Sequence, residues 1–169
     1  MDDQRLDLGL PERLEVESFG KPGSRTFRIL ASTAEGSVSL WLEKEQIAML
    51  GSAIESILER VPEDAGTSPE PDVLGSFIGE LEVRVGSLAL TYDAGRSAFT
   101  LEASDLATDI PLETITMTSA RGQLASMASQ ISAIVAAGRP RCLLCGRPIE
   151  GGRHFCPESN GHAEVTLPD

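Results

Sequence analysis

Two stretches of the chain carry the same amphipathic stripe, residue for residue. Gln46, Ile47, Ala48, Leu50, Ile54, Ile57 and Leu58 correspond at one constant offset to Gln123, Leu124, Ala125, Met127, Ile131, Ile134 and Val135. Apolar residues three and four apart line one side of an α-helix, so each stretch must bury a face against another element. Strand-forming segments precede each helix. In the first half, Leu14, Val16 and Ser18 alternate with Glu15, Glu17 and Phe19, and Thr26–Ser32 (TFRILAS) is rich in strand formers. Val38, Leu40 and Leu42 then alternate with Ser39, Trp41 and Glu43. Gly20-Lys-Pro-Gly-Ser24 and Ala34-Glu-Gly36 supply the turns. In the second half, Glu82–Tyr92 reads as a strand or a bent strand and Asp93-Ala-Gly-Arg96 as a turn. Ala98–Ser104 (AFTLEAS) resembles TFRILAS, and Thr114–Thr118 alternates again.

These patterns predict an α+β fold of two repeated βββα units packed into one body. Each unit has one sheet face and one helix stripe to bury, and packing the units together buries both. The duplicated domain covers 12–138, with units at 12–61 and 79–138 and an acidic, proline-rich linker at 62–78. A polar lead, 1–11, precedes it. Gly138-Arg139-Pro140 stops the second helix and opens a tail, 139–169, that reads as a small zinc-ribbon-like module.

A chain of 169 residues with 41% hydrophobic content has room for one such core and a small appendage. Aromatic residues make up only 4%, so the core must be built from Leu, Ile, Val, Ala and Met. A net charge of -12 opposes binding to a phosphate backbone or an anionic membrane surface. No apolar run approaches the roughly 18 residues of a membrane span. The acidic start, Met1–Asp7, lacks the basic and apolar stretches of a secretion signal. An odd number of cysteines at metal-ligand spacing fits a reducing cytoplasm better than a disulfide framework. The expectation is a cytoplasmic protein that uses neither nucleic acid nor membrane as its partner.

All three cysteines and both histidines fall in one stretch, Cys142-x2-Cys145-x8-His154-x-Cys156-x5-His162. They are the side chains best suited to hold zinc. Cys142-Leu-Leu-Cys145-Gly146 has the form of a zinc knuckle. Cys156-Pro-Glu-Ser159 looks like a second knuckle whose last thiolate has become serine, a poor zinc ligand. The fourth ligand is then His154 or His162. His154 is favoured, because a His-x-Cys pair can project both side chains from one short extended turn; His162 is the alternative. Cys142, Cys145, His154 and Cys156 would close the coordination sphere of Zn²⁺ and leave no position for water, so the ion is expected to be structural. In so short a tail, metal binding would supply folding energy on the order of 10 kcal/mol. Arg139, Arg141, Arg147 and Arg153 in the same stretch read as compensation for thiolate charge.

No histidine or cysteine lies outside this tail, which excludes a Ser-His-Asp or Cys-His pair elsewhere. Glycine-rich phosphate loops are absent as well. Glu43-Lys44-Glu45-Gln46 sits where a strand meets its helix, a place where polar groups cap a helix or line a cleft, and capping is the expected role. Asp105 and Asp109 read as part of a solvated loop. Trp41 and Tyr92 fall in predicted strands and read as packing residues rather than stacking platforms for bases, and Phe19, Phe27 and Phe99, also in strands, are expected in the core.

Phe19-Gly-Lys-Pro-Gly-Ser-Arg-Thr-Phe27, Leu42-Glu-Lys-Glu-Gln46, Ala137-Gly-Arg-Pro140 and the tail motif with Asn160-Gly-His162 resemble one bacterial family of repeat-protein type, the domain of unknown function DUF3090. The resemblance runs from about Glu12 to His162, and the tail motif is its most specific part. It implies a cytoplasmic bacterial protein with Cys142, Cys145, His154 and Cys156 as metal-type positions; Leu143 stands where many relatives carry proline. That family has no established activity. The residues favour a non-enzymatic binding or adaptor module whose structural zinc tail docks a protein partner. The alternative is an enzyme with a carboxylate-lined cleft between the repeats, using Glu43 or Glu45.

Overall fold

The computed structural model describes residues 5–69, 78–106, 114–137, 142–147, 153–157 and 164–166. Its elements are β1 (Arg5–Asp7), β2 (Arg13–Phe19), β3 (Thr26–Ser32), β4 (Gly36–Leu42), α1 (Lys44–Arg60) and β5 (Gly79–Asp93). They continue as β6 (Ala98–Asp105), β7 (Thr114–Ser119), α2 (Arg121–Ala137), β8 (Arg153–Phe155) and β9 (Glu164–Thr166).

Period-two alternation sets the strands. Leu14 and Val16 of β2, Phe27, Ile29 and Ala31 of β3, and Val38, Leu40 and Leu42 of β4 are buried, while most residues between them reach solvent. The main sheet has seven strands in the order β1-β7-β6-β5-β4-β3-β2. β2, β3 and β4 form one antiparallel meander, and β5, β6 and β7 a second. A parallel pair, β4 with β5, joins them, and α1 is its crossover.

β5 serves both meanders. Gly79–Arg84 pair with β4, Val85–Asp93 pair with β6, and the register shifts between Val85 and Ser87. A bulge of this kind bends a strand and lets its halves follow different neighbours. At the far end, β1 pairs in parallel with β7 before the chain continues into β2. β1 and β2 thus stand to β7 and β3 as the two halves of β5 stand to β4 and β6. The polar lead therefore contains a strand, too short at three residues for periodicity to reveal it.

α1 buries Ile47, Leu50, Gly51, Ile54 and Ile57, and α2 buries Leu124, Met127 and Ile131. The helices pack on each other closely enough that a Cβ on Gly51 would stand 2.9 Å from Cγ2 of Ile131. α2 also packs across onto the first meander, where the Val16 N–H donates to Gln130 Oε1 at 2.8 Å. One continuous core results, from Phe27, Ile29 and Leu40 through both helices to Phe99, Leu101 and Met117.

Three further expectations change. Asp105, expected in a solvated loop, is the half-buried last residue of β6. The described part of the stretch after α1 is not simply an exposed linker, because Gly66 and Pro69 are buried. The Gly66 N–H donates to Ser97 Oγ at 3.0 Å, and its carbonyl accepts from the Arg121 N–H at 2.7 Å. The Arg121 side chain donates to Leu58, Val61, Pro62 and Ala65 carbonyls, and so fastens the end of α1 to the start of α2. Phe19 is 43% exposed rather than core. It belongs to the Glu15–Glu17 side of β2, and there it packs on Trp41 at 5.4 Å, with the Arg28 guanidinium 5.1 Å from the Phe19 ring and 5.5 Å from Trp41. Arg28 is in turn held by Glu17.

Candidate metal centre

A short backbone loop builds the thiol cluster. The Gly146 N–H donates to the Cys142 carbonyl at 2.9 Å, and the Cys142 N–H donates to the Arg147 carbonyl at 2.9 Å. Gly146 has φ of +70°, in the left-handed region that glycine enters without a Cβ penalty. This fold of the chain brings Cys142 and Cys145 to one side of the loop, and the segment after β8 delivers Cys156 to them. The sulfur atoms of Cys142, Cys145 and Cys156 lie within 4.8 Å of one another. Cys142 and Cys156 are buried, with their sulfurs 3.7 Å apart, well beyond the roughly 2 Å of a disulfide bond.

That spacing can be tested against a metal. Ligand sulfurs at about 2.3 Å from a tetrahedral zinc stand about 3.8 Å from each other. The separation of Cys142 from Cys156 matches this, so the three thiols fit a thiophilic ion. Their electrostatics point the same way. A backbone hydrogen bond from Arg147 draws the Cys145 thiol down, but loss of water and the adjoining Cys142 and Cys156 sulfurs outweigh it and leave its pKa above the ordinary thiol value. Three thiolates in contact repel one another, and a divalent cation removes that repulsion.

Of the remaining candidates, His154 belongs to β8, where it pairs with Val165 of β9. His162 lies outside the described residues, as do Arg139, Arg141 and Asp109. The knuckle presents its two central residues outward, with Leu143 89% and Leu144 60% exposed.

A second polar site occurs where β4 ends and its parallel pairing with β5 stops. There a hollow of about 440 Å³ is lined by Trp41, Glu43, Gln46, Arg84, Gly86 and Leu106, among others. Gln46 fixes its rim. Its Oε1 accepts the Glu43 N–H at 2.8 Å, and its Nε2 donates to the Val85 carbonyl at 3.0 Å. Sequence patterns identified Glu43 and Gln46 at this junction but not Arg84, because only the β4–β5 pairing, Trp41 opposite Arg84, brings β5 beside them.

Fold and site together define, among the described residues, a small α+β protein with a seven-stranded sheet, two long helices and a C-terminal cysteine cluster able to hold a metal ion. Residues 7–156 match the family described as Protein of unknown function (DUF3090), and the chain belongs to it. No curated protein and no solved structure matches the chain. Among the described residues, no helix is long and apolar enough to cross a membrane.

Proposed function

We propose that this is a zinc-clasped, non-enzymatic binding protein whose tail docks a protein partner in the bacterial cytoplasm. The observation that carries the proposal is the triad of sulfurs within 4.8 Å on a knuckle-shaped loop. His154 completes the set with Cys142, Cys145 and Cys156. It stands two residues before Cys156, the spacing that returns an extended chain to the same side. Four protein ligands leave no open position, so the zinc is structural. Support for docking comes from Leu143 and Leu144, two large apolar side chains held outward at the tip of a loop the metal would make rigid. The acidic charge of -12 disfavours nucleic acid and anionic membrane as partners.

The body is proposed to be a duplicated βββα unit. Matched caps support this: the Glu43 N–H bonds Gln46 Oε1 at 2.8 Å, and the Ala120 N–H bonds Gln123 Oε1 at 2.9 Å, at the same offset that relates the helix stripes.

Elemental analysis tests the metal. The purified protein should carry one zinc per chain, Cys142→Ser and His154→Ala should lose it, and His162→Ala should keep it. Absence of stoichiometric zinc in the native protein sinks the clasp, and retention by His154→Ala with loss by His162→Ala reassigns the fourth ligand. Partner capture with the intact chain, compared with Leu143→Ser/Leu144→Ser, tests docking, and equal capture by both rejects the knuckle tip as the contact. A second function, an enzyme with a carboxylate in a cleft between the two halves, is favoured by one observation: Glu43 lines the hollow at the β4–β5 junction.

A further inference from the structure

We propose that the hollow at the carboxyl end of β4, where its pairing with β5 stops, binds a small zwitterion of the amino-acid class: Arg84 takes its carboxylate, Glu43 its ammonium group, and Trp41 walls its side chain. The hollow lies beyond the carboxyl end of β4, where β5 leaves it for β6, and crevices beyond the carboxyl ends of parallel strands are where open sheets place ligands. The volume of about 440 Å³ suits a small molecule. Beyond Thr26 and Glu43 a second hollow of about 410 Å³ adjoins it, with Phe27 and Ile134 in its walls, Lys44 and Arg25 at its edge, and room for a longer side chain.

Charge identifies the ligand class. Glu43 and Arg84 are exposed and line the same hollow, yet neither forms an ion pair with any described residue. On the same sheet, Arg28 pairs with Glu17, Arg13 with Glu15 and Arg5 with Glu102. Glu43 also caps α1 in a capping box with Gln46, which fixes its carboxylate at the hollow without neutralising it. Two opposite charges that line one cavity without an ionic partner complement a molecule that carries both signs apart. A simple anion would meet Glu43 within a chain of net charge -12, and a simple amine would meet Arg84. A guanidinium also offers a carboxylate two parallel hydrogen bonds.

The frame is rigid where recognition needs it. Trp41 is half-buried and held by Phe19 and Arg28, and it stands directly opposite Arg84 in the strand register. Indole and guanidinium are therefore neighbours. Gln46 is tied at both ends of its amide, so the wall carrying Glu43 does not swing freely. This assignment is independent of the metal centre and of any chemistry at Glu43.

Trp41 is the chain's single tryptophan, so its fluorescence reports on this hollow alone. The full-length protein should be titrated with each non-fluorescent L-amino acid up to about 10 mM, a range that detects millimolar affinities. Isopentylamine and 4-methylpentanoate, which are leucine without its carboxylate and without its amine, serve as comparisons, and equilibrium dialysis of the same compounds covers a spectroscopically silent site. The expected result is saturable binding of at least one amino acid, with both leucine fragments at least tenfold weaker than leucine or than the best ligand. Arg84→Gln and Glu43→Gln, both at exposed positions, should each weaken that ligand at least tenfold while circular dichroism stays unchanged. Binding of no amino acid overturns the proposal. So does equal binding of a fragment, or affinity unmoved by both substitutions.

Discussion

Replacing Arg121 by methionine isolates the contact that fastens the two halves of the body. Methionine keeps an apolar stem against Phe99, whose ring lies 5.7 Å from the guanidinium carbon, and removes every donor. Four carbonyls lose a partner: Ala65 at 2.9 Å, Val61 at 2.7 Å, Pro62 at 2.6 Å and Leu58 at 3.3 Å. The Pro62 bond is exposed and the Leu58 bond is long, so water replaces them at little cost. Two part-buried bonds to a charged group remain, each contributing about 1.5 kcal/mol at the lower end of its range. Loss of a cation at the end of α1 adds about 0.5 kcal/mol. The sum is about 3.5 kcal/mol, which for a chain of this size lowers Tm by roughly 7–14 °C. Urea unfolding should show the midpoint falling with an unchanged slope. Arg121→Lys keeps the charge but not the fork, and should recover less than half of the loss. Arg60 makes only an exposed bond to Ser56 within its own helix, so Arg60→Ala should cost under about 1 kcal/mol. A loss under about 1 kcal/mol for Arg121→Met, or full recovery with lysine, would refute the idea that a forked guanidinium holds this junction.

The matched caps should behave alike: Gln46→Ala and Gln123→Ala each remove one cap bond and one tertiary bond, to Val85 and to Pro11, and should each cost about 1–2 kcal/mol in chemical denaturation. Costs differing by more than about 1 kcal/mol would argue against equivalent roles. Gly51→Ala gains about 1 kcal/mol of helix propensity but forces a Cβ to 2.9 Å from Ile131, an overlap costing about 1–3 kcal/mol, so Tm should fall. A rise in Tm would show that the helix crossing has slack. Cys145 has a raised pKa and holds its proton at neutral pH in the metal-free thiol form, so zinc binding must release it. Calorimetry in buffers of different ionisation enthalpy should register proton release, and affinity should fall as pH falls; pH-independent affinity would contradict thiolate ligation.

Local pattern made β2, β3 and β4 legible, because one polar face and one core face force alternation of residue type in each, even where Ser39 of β4 is itself buried. The same alternation already put Phe19 on the Glu15–Glu17 side, yet residue type suggested core; an aromatic at a strand end can instead be satisfied on the outer face by Trp41 and Arg28. β1 and the β4–β5 pairing were not legible. Both are parallel contacts between segments far apart in sequence, and nothing local encodes their register. Arg84 went unnoticed for that reason. The burial of Gly66 likewise depends on Arg121 and Ser97, which approach from the other half of the chain. Cysteine spacing, by contrast, reports local loop geometry, and the knuckle hydrogen bonds of Cys142, Gly146 and Arg147 follow it directly.

If the clasp holds, body and tail draw on different sources of stability. Core residues such as Phe27, Ile29, Leu40, Phe99, Leu101 and Met117 are fully or nearly fully buried, and each contributes about 1.5–3 kcal/mol by leaving water. Around the knuckle the only buried apolar cluster among the described residues is Cys142 and Cys156, with Cys145 against it, while Leu143 and Leu144 face outward. Burial of two thiols contributes little against the conformational entropy of ordering the knuckle loop. Under the proposed clasp, coordination supplies much of the tail's stability, so chelation should release the tail without unfolding the sheet. A partner that grips Leu143 and Leu144 would then engage only the metal-loaded form, because a pair of leucines on an unfixed loop pays for its own ordering when it binds.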